Sequence, residues 1–407
     1  MTPSGDSGPQ TGAPALTGIR VLDLSRVLSG PFATMVLADL GATVVKVEDP
    51  ARGDDTRHWG PPYQGPEASY FLSVNRTKRS IAIDLKHPDG RELAMRLAER
   101  SDVVVENFRP GVATRLGLGY DDVAARNPGV VYASISGFGQ TGPMAGRPGY
   151  DAIAQAVSGM MSITGEQGGH PVRPGVATAD IGAGMWAVIG ILAALHVRES
   201  TGAGQWIDVS LLDSQVSWLT YVASGYRATG KTPQRYGSAH PTIVPYQAFP
   251  TREGDLMVAV GNDSLWRRFA GTIGIADLAD DPRFSTNPER VRNREELRVA
   301  IAEALLADDA TSWEQRLTDA GVPAARVNSV ADALRHPQVV ARDLEVTTPH
   351  PTAGTVRTLA TPVRMSGSGR ADATAPPIFG QHTDEMLEEL GLDAEEIARL
   401  RRDGVVG

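Results

Sequence analysis

A chain of 407 residues, 41% hydrophobic and 21% charged, has room for two globular domains or for one large domain with an insertion. Its net charge of −9 argues against nucleic acid and against an anionic membrane surface as partners. The absence of cysteine excludes disulfides, thiolate zinc sites, iron–sulfur clusters and a cysteine nucleophile.

Residues 1–17 carry neither a basic block nor an apolar core, so they are expected to be a disordered tail and not a signal peptide, with cytoplasm as the simplest compartment. Order is expected from Gly18. Ile19 to Leu24 reads as a buried strand, Pro31 to Leu40 as a helix with proline in its first turn, and Thr43 to Glu48 as the next strand. The intervening loop, SRVLSG, lacks the GxGxxG spacing of a dinucleotide site. Strands at Ser80–Asp84, Val103–Glu106 and Val130–Ser136, with a helix at Gly90–Arg100, continue the alternation. Such alternation predicts a doubly wound, mostly parallel sheet whose ligands bind beyond the strand carboxyl ends. The loops to watch are therefore 25–30, 86–89, 107–111 and 137–142.

Pro174 to Ser200 is the most distinctive stretch. Between Ile181 and Val197 the only strongly polar side chain is His196, and these seventeen glycine-interrupted residues are short for a bilayer span. A helix apolar on every face is expected to be buried on every face. Asp180 stands at its start, where an aspartate that caps the helix would be held ionised with a depressed pKa. Gly182 and Gly184 would leave room for a ligand beside it, which suits a nucleophile; helix capping alone is the plainer reading. Further on, a strand at 205–211 and a helix at 213–224 close a large domain over 18–220. Residues 221–240 read as a linker and 241–331 as a small α/β domain; 332–407 read as a return to the large domain. Gly225–Thr232 fits the P-loop formula, but a helix precedes it and Pro233 follows, so the required strand–loop–helix context is missing. The eight histidines are spread too widely for a metal-binding pair.

Several stretches in order resemble the class III CoA-transferase family: GIRVLDLSRVLSGP (18–31), LGATVVKVE (40–48), NRTKRSIAIDLK (75–86), DVVVENFRPG (102–111), SISGFGQTGP (134–143), GYDAIAQAVSG (149–159) and TGAGQWIDVSLLDSQ (201–215). The likeness runs from Gly18 to Gly407. It implies an α/β fold with a Rossmann-like large domain and a small domain, in a ring-shaped chain that interlocks with a second copy as a homodimer. It also implies coenzyme A as an acyl-CoA substrate, a carboxylic acid as partner, and no metal or redox cofactor. The position matching the family's nucleophile is Asp180. Those matching its CoA site are Val27, Ile83, Lys86, Asn107, Arg115 and Tyr150, with Phe108 and Arg109 in the same motif. A CoA-holding arginine of the formyl-CoA members aligns with Asp49, and Arg52 is close enough to replace it. Their loop glutamine is Leu28 here and their glycine run is absent, which argues against oxalate or formate. RYGSAHPTIVPYQAF (235–249) and NPERVRNREEL (287–297) look most like the members that pair succinyl-CoA with glutarate. Arg227, Arg235 and His240 are candidates to clamp the far carboxylate of a dicarboxylic acid.

Two rival readings have sequence features against them. The α-methylacyl-CoA racemases share the fold and place a basic histidine in a Gly-His-Asp triplet. The matching triplet here is Gly149-Tyr150-Asp151, and a phenol is a poor base. A CoA-binding protein without turnover would have no need of a carboxylate at position 180.

Overall fold

The computed structural model describes residues 12–407, which divide into two compact units. The first comprises 12–160, 174–223 and 342–407; the second comprises 161–173 and 224–341. Most of the expected disordered tail lies outside the described residues. Its last part is ordered: Leu16 is buried and its N–H donates to the Leu40 carbonyl at 2.8 Å.

The first unit is built on six parallel strands: β1 (Arg20–Asp23), β2 (Thr43–Glu48), β3 (Lys78–Ala82), β4 (Val103–Glu106), β5 (Val131–Ser136) and β6 (Gln205–Ser210). Their spatial order is 3-2-1-4-5-6, all neighbours parallel. The inner strands are largely buried, β2 and β4 as valine-rich runs, because both faces are covered, whereas the edge strand β6 keeps exposed residues. Leu22, Ile81, Val104 and Tyr132 pack on one face against Leu93 and Leu97 of α2 (Pro88–Glu99) and against C-terminal residues such as Leu387 and Leu400. Val21, Val44, Val103, Val105 and Ile135 pack on the other, against Leu37 of α1 (Ser29–Asp39) and Ala183, Ala187 and Ile191. The period-two alternation Val103/Val104/Val105 places successive side chains in the two opposite layers.

Two shorter helices flank the central one on this second face: α3 (Asp151–Val157) and α5 (Leu211–Ser217). The central helix, α4, runs from Thr178 to Thr201, and Gly202 ends it in the left-handed conformation (φ 71°). At 24 residues it is long and apolar enough to cross a bilayer by length and composition, yet half of its most apolar window is buried within the protein. The expectation of burial on every face is corrected. Met185, Trp186, Ile189 and Val197 form an exposed stripe, and the His196 side chain is 86% exposed. Uniform apolarity of a helix therefore does not by itself imply that its own chain buries every face.

In the second unit an antiparallel sheet has β8 (Asp255–Ala259) between β7 (Tyr246–Pro250) and β9 (Ala324–Arg326). Helices α6 (Asp263–Thr272), α7 (Arg294–Leu305) and α8 (Ala310–Asp319) bury Trp266, Phe269, Leu297 and Trp313 with Phe249 and Leu256. Residues 161–173 belong to this unit and not to the large one, and 235–237 tie them down. The Arg235 guanidinium donates to the carbonyls of Ser162 (3.2 Å) and Gly169 (2.6 Å), and the Gly237 N–H donates to the Gly165 carbonyl (2.9 Å). The expected 213–224 helix is two helices, α5 and a second over Thr220–Thr229, broken at Thr220 with φ 27°. The second covers Gly225 to Thr229, so the P-loop formula has no phosphate-binding backbone. The return segment contributes the hairpin β10 (Glu345–His350)–β11 (Gly354–Leu359) and two helices, α9 (Thr383–Glu389) and α10 (Ala394–Arg402), to the first unit.

Candidate active site

In this strand order the chain moves outward in opposite directions from β1 and β4, which are neighbours. The loops that leave them therefore separate and open a crevice at the carboxyl edge. The crevice is a cleft of about 230 Å³. Arg26–Ser29, Asn107–Pro110, Ser136–Gly137 and Arg147–Tyr150 line it, with Asp180 and Leu211. Asn107 clasps its two sides: its Oδ1 accepts the Arg26 N–H at 2.8 Å and its Nδ2 donates to the Arg26 carbonyl at 2.6 Å.

Asp180 is partly buried, in the first turn of α4. The helix begins at Thr178 with Ala177 as its N-cap, and no side chain of its own caps it. Asp151 takes that role from the start of α3. One of its oxygens accepts the Ala179 N–H at 2.8 Å and the other accepts from the Gln155 amide at 2.7 Å. The expected depressed pKa is therefore corrected. Burial and the nearby Asp151 carboxylate push Asp180 up to about 7, against the opposing pull of a hydrogen bond from Ser29. Desolvation and a like charge outweigh the helix dipole. Tyr70, from the helix Ser69–Val74, feels the same group: burial first, then Asp180, Asp151 and Asp54 raise its phenol to about 12.

The glycines of α4 also have a different role from the one expected. A Cβ on Gly182 would lie 2.5 Å from Ser214 Oγ, and one on Gly184 would lie 2.6 Å from the Ser29 carbonyl. They admit α5 and the start of α1 to the helix and leave no ligand space. A true close approach occurs in the cleft wall. A Cβ on Gly137 would stand 2.5 Å from Gly149 Cα, so two loop backbones touch where a side chain on either would part them.

Of the residues proposed for CoA, the fold brings Val27, Asn107, Phe108, Arg109 and Tyr150 to the cleft with Asp180. Arg52, Lys86 and Arg115 do not line it. They are exposed cations on the segments that follow β2, β3 and β4, along the same carboxyl edge of the sheet. The Ile83 side chain is 1% exposed and packs in the core, so it offers no surface to a ligand. Arg26, which faces Asp55 at 3.5 Å and lies 6.0 Å from the Phe108 ring centroid, and Arg147 add two cations to the cleft. Ser29, Tyr70 and Asp151 were not foreseen as neighbours of Asp180; each reaches it from another element, and only the GYD triplet hinted at Asp151. Glu106, just before Asn107, is also perturbed. Burial raises it to about 7 with a push from Asp208, while Ser134 and the Phe108 N–H (2.7 Å) stabilise its anion.

Comparison with known proteins accords with this geometry. The sequence profile of CoA-transferase family III matches residues 16–383. The succinyl-CoA:glutarate CoA-transferase of Mus musculus is 46% identical over 393 residues, covering 96% of this chain and 90% of the relative. The succinate–glutarate CoA-transferase of Agrobacterium fabrum is 44% identical, with 93% of this chain and 96% of the relative covered. A crystal structure of a CAIB/BAIF family protein from Brucella suis superposes with a TM-score of 0.85 at 41% identity, covering 93% of this chain and all of that one. The chain is a member of CoA-transferase family III.

Proposed function

We propose that the enzyme transfers CoA from succinyl-CoA to a dicarboxylic acid, glutarate or a close homologue, with Asp180 as the covalent carrier. The observation that carries this reading is a partly desolvated carboxylate that lines the same crevice as the cations Arg26, Arg109 and Arg147. The Asp180 oxygen attacks the donor thioester carbonyl and the C–S bond breaks, giving a mixed anhydride and CoA thiolate. The thiolate attacks the aspartyl carbonyl, releasing the donor acid and leaving an aspartyl thioester. The acceptor carboxylate attacks that thioester and expels the thiolate again, which then takes the new acyl group and frees Asp180. No proton is consumed over the cycle. Poor solvation makes Asp180 a more basic nucleophile, at the cost of a larger protonated fraction at neutral pH. The start of α1, which no side chain caps among the described residues, has the Ser29 and Gly30 N–H groups to offer a developing oxyanion.

The names of the two glutarate-transferring relatives support the acceptor class. The acetyl-CoA:oxalate CoA-transferase of Acetobacter aceti is 41% identical, so oxalate belongs in the acceptor panel despite Leu28. The exposed stripe on α4 supports a homodimer in which a second copy covers it. Racemisation through proton abstraction has Tyr150 against it, since a phenol is a weak base near neutrality. The test is incubation with succinyl-CoA and a panel of acids, following new thioesters by mass. Asp180→Ala should lose at least about a thousandfold in kcat while still binding CoA. Transfer by that variant at the parental rate would refute the assignment.

A further inference from the structure

Val27 has φ 71°, a left-handed conformation that β-branched residues rarely adopt, and it lines the cleft. Such backbone persists only where its surroundings over-determine it. Here they do. Both oxygens of Asp54 lie within hydrogen-bond reach of the Val27 N–H, at 3.3 and 3.4 Å. Lys46 Nζ meets Asp54 at 2.8 Å and donates to the Ser25 carbonyl at 2.8 Å, so one ammonium ties the start of the turn to the carboxylate that faces Val27. Thr56 fixes the Asp54 carboxylate through its N–H (2.9 Å) and hydroxyl (2.7 Å). Asp23 accepts from the Ser25 N–H at 3.0 Å and from Lys78 at 3.1 Å, and Lys78 donates to the Pro31 carbonyl at 2.9 Å. The side chains of Lys46, Asp54, Lys78 and Asp23 are fully buried, and none of the four reaches the cleft surface.

Four charges of balanced sign, removed from water beneath one short turn, are more than the turn needs to be stable. A glycine at 27 would take this φ without them. The turn leads directly into Ser29, which lines the cleft with Asp180, sets its carbonyl against Gly184 of the same helix, and favours the Asp180 anion. We infer that Asp54, neutralised by Lys46, is a positioning residue for CoA transfer: it latches Val27 in the left-handed conformation and so delivers Ser29 to the Asp180 carboxylate. The inference rests on Asp180 being the carrier. Its physical content is pre-organisation. Ser29 is placed beside the nucleophile by a buried ionic pair formed between β2 and the segment that follows it, before substrate arrives.

The test compares kcat, KM and their pH profiles for the parent, Asp54→Asn, Ser29→Ala and Val27→Gly/Asp54→Asn, using succinyl-CoA with whichever acid proves the best acceptor. Asp54→Asn should lower kcat about tenfold to a hundredfold and move the acid limb of kcat to higher pH, because Asp180 loses the Ser29 bond that favours its anion. Ser29→Ala should move the limb the same way. The direction is diagnostic, since deleting a nearby negative charge would by itself move the limb to lower pH. Glycine at 27 adopts the turn unaided, so it should restore at least about threefold of the lost kcat. If Asp54→Asn does not fold, Lys46→Gln/Asp54→Asn removes both charges, leaves no unpaired ammonium, and should show the same signature. A parental kcat and acid limb in whichever of these variants folds overturns the latch, as does a limb moved to lower pH or a loss that glycine does not relieve. Failure of the carrier assignment is seen separately, as continued transfer by Asp180→Ala.

Discussion

Replacing Asp180 by asparagine should remove transfer and at the same time make the protein more stable at alkaline pH. The sign follows from linkage. The Asp180 carboxyl is raised from 3.8 to about 7, so the folded state holds its proton more tightly than the unfolded chain does. Below the unfolded value both states are protonated and the group contributes nothing unfavourable. As pH rises towards 7, the unfolded chain ionises freely while the folded one resists, and stability falls. A difference of about three units corresponds to about 4 kcal/mol once both forms are ionised. Asp180 is only partly buried and its cleft opens to solvent, so roughly 2 to 4 kcal/mol is expected. Asparagine keeps a polar group for Ser29 and cannot ionise.

The cleanest readout is the change in the stability gap with pH, because it cancels any packing difference between the two side chains. From pH 5.5 to 8.5 the gap should widen in favour of asparagine by roughly 1 to 2 kcal/mol. In thermal unfolding that is a relative Tm shift of a few degrees for a unit of this size. Denaturant titrations at the two pH values, with fluorescence and circular dichroism compared, would measure it. A gap that stays constant, or that closes as pH rises, would refute the claim that Asp180 is ionised against the preference of its surroundings.

Other changes have equally definite outcomes. Asp151→Asn keeps an acceptor for the Ala179 N–H and can donate to Gln155 Oε1, a buried atom without a partner among the described residues. It removes the like charge beside Asp180, so the acid limb of kcat should move about half to one unit lower in pH; an unmoved limb would show that burial alone sets the shift. Gly137→Ala forces a Cβ against Gly149 Cα at 2.5 Å, and backbone cannot yield as a side-chain tip can. About 1 to 3 kcal/mol of destabilisation and a raised KM for the CoA donor should follow, checked by urea unfolding and initial rates. Ile189→Asp places a charge on the exposed apolar stripe of α4 and should reduce the dimer fraction in light scattering at micromolar protein if a second copy covers that stripe.

Much of the architecture is legible in local pattern. The valine-rich runs at β2, β4 and β5, each bounded by turn residues, are buried on both faces, and that alone implies a parallel sheet with helices on either side. The second unit follows from ordinary amphipathic helices such as α6 and α8, capped by Asn262 and Asp309. Asp180 attracts notice as the one acid at the start of a long apolar helix, and a run of matching motifs points to the same residue. What misleads is inference from one helix about its surroundings. The expected N-cap aspartate is a third-position residue, because the cap comes from Asp151 on another helix. The expected ligand space at Gly182 and Gly184 is filled by Ser214 and by the start of α1.

The amino-acid order thus determined the alternation of strands and helices and the family, and it singled out Asp180 as the candidate carrier, because each is encoded in neighbouring residues or in a series of motifs. Tertiary structure alone decided the direction of the Asp180 pKa, the partners Ser29, Tyr70 and Asp151, and the strained turn at Val27 held by Asp54 and Lys46. Those properties depend on desolvation and on charges brought together from distant parts of the chain. Neither quantity exists until the sheet has formed and the loops at its carboxyl edge have closed around the crevice.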